Sequence, residues 1–273
     1  MSNVSIIMGV YNCALTLSEA IESLISQTFQ DWELIVCDDG SDDNTYSIAE
    51  EYKKRLGKKM ILFRNEENQG LNYTLNRCLE KSTGDYIARM DGDDISLPSR
   101  LEKEVHFLDN HLEYAIVSTP MIYFDENGIW GYGQAIEKPE KKDVVKHHPV
   151  FCHAPCMIRR EAYLAVGGYT EHDRMVRCED MNLWYKLYAK GYRGYNLQEP
   201  LYKMRDDFDA VHRRNMKTRM NVVYTMYIGF KLFQYPWYMY IYVVKELFLQ
   251  LIKGMIPKSV YRKIHQSRIK KEV

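Results

Sequence analysis

Asp85-Tyr-Ile-Ala-Arg-Met-Asp91-Gly-Asp93-Asp94-Ile-Ser-Leu-Pro98 is the stretch on which the fold class turns. Tyr86 to Met90 predicts a short buried strand that runs directly into three aspartates, and a proline then opens the next helix. Carboxylates crowded at a strand end repel one another, and a folded chain keeps them together when positive charge lies between them. Hard oxygen donors suit Mg²⁺ or Mn²⁺, and a divalent ion carrying a diphosphate meets that need. An exposed aspartate-rich turn is often simply solvated, so its position in the fold has to decide. An EF-hand is excluded, because its alternating ligand loop and terminal glutamate are absent.

Upstream, strand and helix patterns alternate. Val4–Val10 is a continuous apolar run, as expected of a buried parallel strand. Leu15, Leu17, Ala20, Ile21, Leu24 and Ile25 recur at helical spacing. Glu33–Cys37 predicts a strand, Thr45–Leu56 a helix, Met60–Arg64 a strand, Leu71–Lys81 a helix and Asp85–Met90 a fourth strand. This alternation with short polar links predicts an α/β fold, a mostly parallel sheet flanked by helices. Ligands in such sheets bind outside the carboxyl ends of the strands. Three predicted strands end in polar groups, at Tyr11-Asn12, Asp38-Asp39 and Asp91-Gly92-Asp93-Asp94. Their coincidence points to one shared site.

Downstream, Pro98–His111 predicts a helix, Ala115–Ser118 a strand, and Asp125-Glu-Asn127-Gly128 a hairpin turn. Glu137–His148 is charged and reads as a loop, Met157–Tyr169 as strand, short helix and turn, and Tyr192–Met204 as a returning strand. The segment Cys178-Glu179-Asp180 stands before a helical pattern carrying Met181, Trp184, Leu187 and Tyr188 on one face. Acids there suit the helix dipole, and Asp180 as a plain N-cap is an open reading. The other reading is a general base, which a hydroxyl attacking an activated donor requires. No nucleophilic triad has supporting context, and no GxxxxGK[ST] phosphate loop is present.

The chain has 273 residues, 46% of them hydrophobic and 27% charged, enough for one large α/β domain with an appendage. Lysine plus arginine equals aspartate plus glutamate at 37 each, so bulk charge argues against nucleic acid as a partner. Basic charge is nevertheless concentrated at the C-terminal end, in Lys253, Lys258, Arg262, Lys263, Arg268, Lys270 and Lys271 against Glu272. Asn221–Met255 is dense in tyrosine, methionine and aliphatic residues, with Pro236 dividing two predicted helices. Lys245, Glu246, Gln250 and Lys253 interrupt the second, which argues against a membrane span. Glu246, Gln250 and Lys253 share one side and leave a broad apolar face, the pattern of a helix lying in a membrane interface. Packing against the domain core, or a homodimer contact, stays open beside that reading. The six cysteines are scattered, and the first strand follows the initial methionine closely, so free thiols in a reducing cytoplasm are expected. Cys152 and Cys156 flank His153, but no second ligand pair stands at zinc-site spacing.

From Val4 to about Arg205 the chain resembles the family 2 glycosyltransferases of the GT-A fold, in particular bacterial enzymes building surface polysaccharides. The segments that carry the resemblance are VSIIMGVYN (Val4–Asn12), SLISQTFQDWELIVCDDGSDDNT (Ser23–Thr45), NQGLNYTLN (Asn68–Asn76), GDYIARMDGDDISLPSRLEKE (Gly84–Glu104), MIRREAYLAVGGY (Met157–Tyr169) and CEDMNLWYKL (Cys178–Leu187). Their order and spacing make it specific. The resemblance implies a catalytic domain over residues 1–209, with a nucleotide-binding half (1–110) and an acceptor-binding half (111–209). Residues 210–273 then form an amphipathic, basic helical extension.

By the same resemblance, Val10, Tyr11 and Asn12 cradle the nucleotide base, and Asp39 bonds to uracil with Asp38 beside it. Asn68, Gly70 and Gly92 belong to the donor-nucleotide set, and Arg205 lies near the diphosphate. Asp91 and Asp93 form the DxD motif, with Asp93 the metal ligand and Asp91 reaching the ribose of the nucleotide or the metal. Asp180 is the base and Glu179 its neighbour. Two departures stand out: Gly9 replaces the usual proline before the first turn, and Asp206-Asp207-Phe208-Asp209 lacks the usual basic content. His212 as a further metal ligand is the weaker reading beside a structural histidine.

The expectation is an inverting, Mn²⁺- or Mg²⁺-dependent transfer of sugar from a nucleotide-diphosphate donor, with UDP as the nucleotide. The acceptor is a saccharide, lipid-linked, on the inner face of the plasma membrane. One rival is a nucleotide-sugar-binding partner subunit without activity, against which Asp180 speaks. The other is a sugar nucleotidyltransferase, against which the lack of lysine or arginine in Gly9–Leu17 speaks.

Overall fold

A computed structural model describes residues 3–146, 150–205 and 215–256. Its centre is β1 (Val4–Val10), which pairs in parallel with β2 (Trp32–Asp38) on one side and β4 (Tyr86–Arg89) on the other. β3 (Met60–Arg64) continues the parallel order beyond β2. On the far side β9 (Met157–Arg159) enters antiparallel between β4 and β6 (Ile116–Ser118), and β10 (Gly194–Asn196) closes the edge in parallel with β6. The order is β10-β6-β9-β4-β1-β2-β3, the mostly parallel sheet that the alternation predicts.

Successive strand residues point to opposite faces, and both faces are covered. Ile7, Ile35, Ile87 and Ile158 belong to a core shared with α3 (Leu71–Lys81), α6 (Arg160–Ala165) and α7 (Glu179–Ala189). Ile6, Met8, Leu34, Val36 and Ala88 belong to a second core with α1 (Leu17–Ile25), α2 (Thr45–Leu56) and α4 (Arg100–Asn110). All the N-terminal elements lie within a residue or two of their sequence expectation.

A smaller sheet, β5-β11-β7-β8, sits at the carboxyl end of β4. β5 is Ile95–Ser96, β7 Met121–Asp125, β8 Gly128–Tyr132 and β11 Tyr202–Arg205. The β7–β8 hairpin turns where Asp125–Gly128 predicted it. The single strand expected over Tyr192–Met204 is instead two strands in two sheets. Pro200 has no amide hydrogen to extend the ladder, and the chain crosses between sheets there. Glu137–His148, expected as a loop, contains a short helix, α5 (Lys141–Lys146), because Val144 and Val145 are buried in the core. Residues 147–149 of that segment lie outside the described residues.

The chain ends in a helix pair, as Pro236 predicts. α8 (Met216–Leu232) starts from an Asn215–Thr218 capping box, and α9 (Ile241–Met255) follows a 3₁₀ turn over Trp237–Tyr240. Asn221, Thr225, Met226, Gly229 and Phe230 form the buried stripe of α8, which packs on α7. Gly229 is required there, since a Cβ would stand 2.5–2.6 Å from ring atoms of Tyr185.

α9 reverses the usual arrangement of a surface helix. Gln250 is buried and Glu246 and Lys253 are half-buried, while Ile241, Val244, Phe248, Ile252 and Met255 are exposed. Trp237 beside them is 85% exposed. Among the described residues no helix is long and apolar enough to cross a membrane. Most of the basic tail, Lys258 to Lys271, lies outside the described residues, as do Asp206–Asp209 and His212.

Candidate active site

A cleft of about 880 Å³ opens at the carboxyl ends of β1 and β4 and is walled by the start of α7 and by α8 and α9. It gathers Val10, Tyr11, Asp91, Gly92, Asp93, Asp94, Glu179, Asp180 and Arg205 from segments far apart in the sequence. The strand–loop boundary builds its acidic wall. Asp91, Asp93 and Asp94 follow β4, with carboxylate oxygens lying within 4.8 Å of one another. Asp94 is buried, and its Oδ1 accepts the Arg205 amide at 2.8 Å. Burial, reinforced by the charges of Asp91 and Asp93, pushes the Asp94 carboxyl well above its ordinary range.

Arg205, at the end of β11, stitches this loop in place. Its Nε donates to the Asp93 carbonyl at 3.0 Å and its Nη2 to Glu19 Oε2 at 2.6 Å, with the guanidinium over the Phe124 ring. Gly92 packs so closely that a Cβ would lie 2.9 Å from both Cys13 Sγ and Val10 Cγ1. With Asp94 turned inward, half-buried Asp91 and Asp93 are the carboxylates facing the cleft. An all-oxygen, anionic donor set of this kind fits Mg²⁺ or Mn²⁺ and not a thiophilic metal.

Glu179 and Asp180, in the first turn of α7, line the same cleft. Asp180 Oδ1 accepts the amide of the next residue, Met181, at 2.7 Å, but the N-cap position of α7 is Cys178, so Asp180 lies inside the first turn and is not the N-cap. Desolvation in the depth of the cleft raises the Asp180 carboxyl. Desolvation, with the charge of Asp180 added, raises Glu179 to about 7. Both carboxyls are thus held above their ordinary range by burial, as in sites built to accept protons.

Several cleft residues escaped the sequence reading. Arg89 is buried at the end of β4 with Nη2 2.6 Å from Asp91 Oδ1, and its field holds Glu179 and Asp180 down against desolvation. A charged residue inside an otherwise apolar strand was the available signal. His153 Nε2 lies 2.8 Å from Tyr169 Oη and its ring meets Trp184 edge-on. Burial, and secondarily Arg89, depress His153 well below the ordinary histidine range, so it is neutral. Arg219, Gln250 and Lys253, from the C-terminal helices, also line the cleft.

Asn12, Asp38, Asp39, Asn68 and Gly70 do not line it. Asp39 Oδ1 accepts Asn65 Nδ2 at 2.6 Å and the Gln69 amide at 2.8 Å, and Oδ2 accepts the Gly70 amide at 2.9 Å. That carboxylate organises the loop before α3, where Gly70 adopts φ 88° and Asn68 is exposed. Asp38 is fully buried, paired with Arg64 at 2.8 Å and bonded to Ser41. Asn12, at φ 50°, receives the Asp42 amide on Oδ1 at 2.9 Å. These residues shape the loops around the end of β1. All six cysteines are free thiols.

Comparison with known proteins gives this geometry a lineage. Residues 5–167 match Glycosyl transferase family 2. EpsE of Bacillus subtilis (strain 168), which bears a provisional glycosyltransferase name, is 43% identical over 266 residues, covering 97% of this chain and 94% of EpsE. The UDP-Glc:alpha-D-GlcNAc-diphosphoundecaprenol beta-1,3-glucosyltransferase WfaP of Escherichia coli is 28% identical over 208 residues, 75% of this chain and 78% of WfaP. The mannosyltransferase PcManGT of Pyrobaculum calidifontis, solved with GDP-Man and Mn²⁺, superposes with a TM-score of 0.64 at 17% identity. The match covers 97% of this chain and 79% of PcManGT. At that identity the likeness shows the fold, which is GT-A. With more than half of its length matched, the chain belongs to glycosyl transferase family 2 and is a glycosyltransferase.

Proposed function

We propose that this chain transfers a sugar from a UDP-sugar to a hydroxyl of a lipid-linked saccharide, with inversion, at the inner face of the plasma membrane, in surface polysaccharide synthesis. One observation carries the reading: Asp91 and Asp93 line a single cleft with Glu179 and Asp180. The acidic strand end suits the leaving group and the α7 start suits the attacking group.

In this reading Asp91 and Asp93 hold a divalent cation, Mn²⁺ or Mg²⁺, which supplies counter-charge for the departing diphosphate. Val10 and Tyr11 border the nucleotide, while Asp39 acts through the loop it organises and Asp38 and Asn12 hold the neighbouring turn. Arg205 fixes the loop of Asp93 and Asp94. Asp180 accepts the acceptor hydroxyl proton as that oxygen bonds to the anomeric carbon. The bond from that carbon to the diphosphate breaks on the opposite face, its electron pair leaving with the diphosphate. Glu179 stands beside Asp180 in the same turn, its own carboxyl raised by burial and by the charge of Asp180.

Membrane attachment draws on α9, whose apolar side faces outward. Burying each such side chain contributes about 1.5–3 kcal/mol, and the basic tail that follows suits anionic headgroups. The charge complementarity favours a lipid surface over a second copy of the chain. The test is to supply UDP-, GDP- and dTDP-sugars with Mn²⁺ and lipid-linked saccharide acceptors, and to follow nucleotide release and the anomeric configuration of the product. A UDP-dependent, inverted product supports the proposal. Retention of configuration, or turnover undiminished by chelator, overturns it.

A further inference from the structure

The cleft has a second charged wall, built by the C-terminal helices. Arg219 Nη1 donates to Gln250 Oε1 at 3.3 Å, and Gln250 Nε2 donates to Glu246 Oε1 at 2.7 Å. Arg219 Cδ lies 3.6 Å from where a Cβ on Gly254 would stand, so this side chain packs on the last turn of α9, which also carries Lys253. Arg219, Glu246, Gln250 and Lys253 all line the cleft that holds Asp180. Gln250 is 6% exposed, so the ladder is a built feature and not a loose surface array. Glu246 accepts from Gln250, and Arg219 and Lys253 are the cations that α8 and α9 bring to the cleft.

The same helix has another border. Val244, Phe248, Ile252 and Met255 face outward and are exposed, so α9 divides the cleft from an apolar exterior. A ligand with an anionic head between a sugar and a long apolar chain would engage both sides at once.

We infer that Arg219 and Lys253 bind the diphosphate of a lipid-diphosphate-linked acceptor, with its chain along the outer face of α9 and its sugar directed into the cleft. This rests on the donor and acceptor classes proposed above and adds the subsite. The two diphosphates then use opposite walls. The donor's meets carboxylates and needs a metal; the acceptor's meets a guanidinium and an ammonium and needs none.

That asymmetry supplies the experiment. The full chain is titrated with farnesyl diphosphate in the presence of EDTA, alongside farnesol, for the wild type, Lys253→Gln and Arg219→Gln/Lys253→Gln. Metal-free binding of the diphosphate, weakened about tenfold or more in the double variant while farnesol binding is unchanged, is the expected result. Unaltered binding in the double variant, or wild-type binding that requires Mn²⁺, overturns the subsite. Should the double variant unfold, Lys253→Gln alone decides, with a smaller loss expected. Phosphatidylglycerol vesicles that abolish farnesyl diphosphate binding assign the seam to membrane headgroups and also overturn it. UDP binding with Mn²⁺ is measured in parallel, and its absence counts against the donor reading alone.

Discussion

Arg89 Nη2 lies 2.6 Å from Asp91 Oδ1, so a buried cation holds the first acid of the DxD motif before any metal arrives. It also lowers the proton affinity of Glu179 and Asp180 across the cleft. One side chain thereby offsets the charge of both acidic groups of the cleft.

Replacing Arg89 with Met leaves Asp91 unpaired and both acid groups without their shared counter-charge. Breaking a buried pair costs about 3–5 kcal/mol. At about 2–4 °C per kcal/mol for a domain of this size, the melting temperature should fall by roughly 6–20 °C. Differential scanning calorimetry checks this, and an unchanged transition would show that water screens the pair.

The Glu179–Asp180 pair makes activity and stability respond oppositely to pH. A base must be deprotonated to accept the acceptor's proton, and burial raises the Asp180 carboxyl above its ordinary range, so kcat/KM should rise with pH through that raised range and level off above it. For stability the sign is reversed. Glu179 binds its proton more tightly folded than unfolded, so the native state holds more protons between its ordinary value of 4.5 and about 7. Stability contributed by that proton is complete below this window and is lost as pH rises through it. Glu179→Gln should flatten the melting temperature across the window. A slope that survives the substitution assigns it to another group.

Asp180→Asn preserves shape and the possibility of meeting the Met181 amide through the side-chain oxygen, but removes the basic site. Transfer should fall by about 10²–10⁴-fold, with donor affinity and melting temperature maintained. Transfer within about twofold of wild type would exclude Asp180 as the base.

Asp93→Asn should separate the leaving-group wall from the base. It retains a side-chain oxygen but loses the charge that draws a divalent ion, so Mn²⁺-dependent UDP binding should weaken by about tenfold or more. The Asp93 carbonyl still accepts Arg205 Nε, and the loop should keep its place. Titrations of UDP with and without Mn²⁺ read this out. Metal-enhanced binding equal to wild type would place the ion on other ligands.

How far the sequence reaches depends on what a residue's role requires. Val4–Val10 and Tyr86–Arg89 are legible because a strand buried on both faces is mostly apolar, with Ser5 and Arg89 the exceptions. Asp91, Asp93, Glu179 and Asp180 are legible because carboxylates at strand ends and helix starts are few and physically exacting. The partners of Asp39 are not. Nothing in the spacing says that its oxygens will receive amides from Gln69 and Gly70, since a short loop can close in many ways. α9 was read correctly as two-faced, but periodicity gives a face without its orientation. That Gln250 turns toward α8 and the cleft, and Phe248 away from them, is a tertiary fact. For the same reason Arg219 carried no sequence signal.

Gly229 tests whether α8 is fixed to the catalytic core. An added Cβ would lie 2.5–2.6 Å from the Tyr185 ring, a distance at which something must move. Alanine favours helix over glycine by about 1 kcal/mol, whereas overpacking a tight contact costs about 1–3 kcal/mol. The clash should win, because Tyr185 is itself fully buried and edge-packed on Phe233. Gly229→Ala should therefore lower the melting temperature by a few degrees, about 2–4 °C per kcal/mol of net loss. α8 carries Arg219 on the cleft wall, so displacing it should also weaken farnesyl diphosphate binding while sparing UDP. A variant that is more stable than wild type, with propensity alone deciding the outcome, would mean that α8 can shift on α7 and that the seam is not held rigidly.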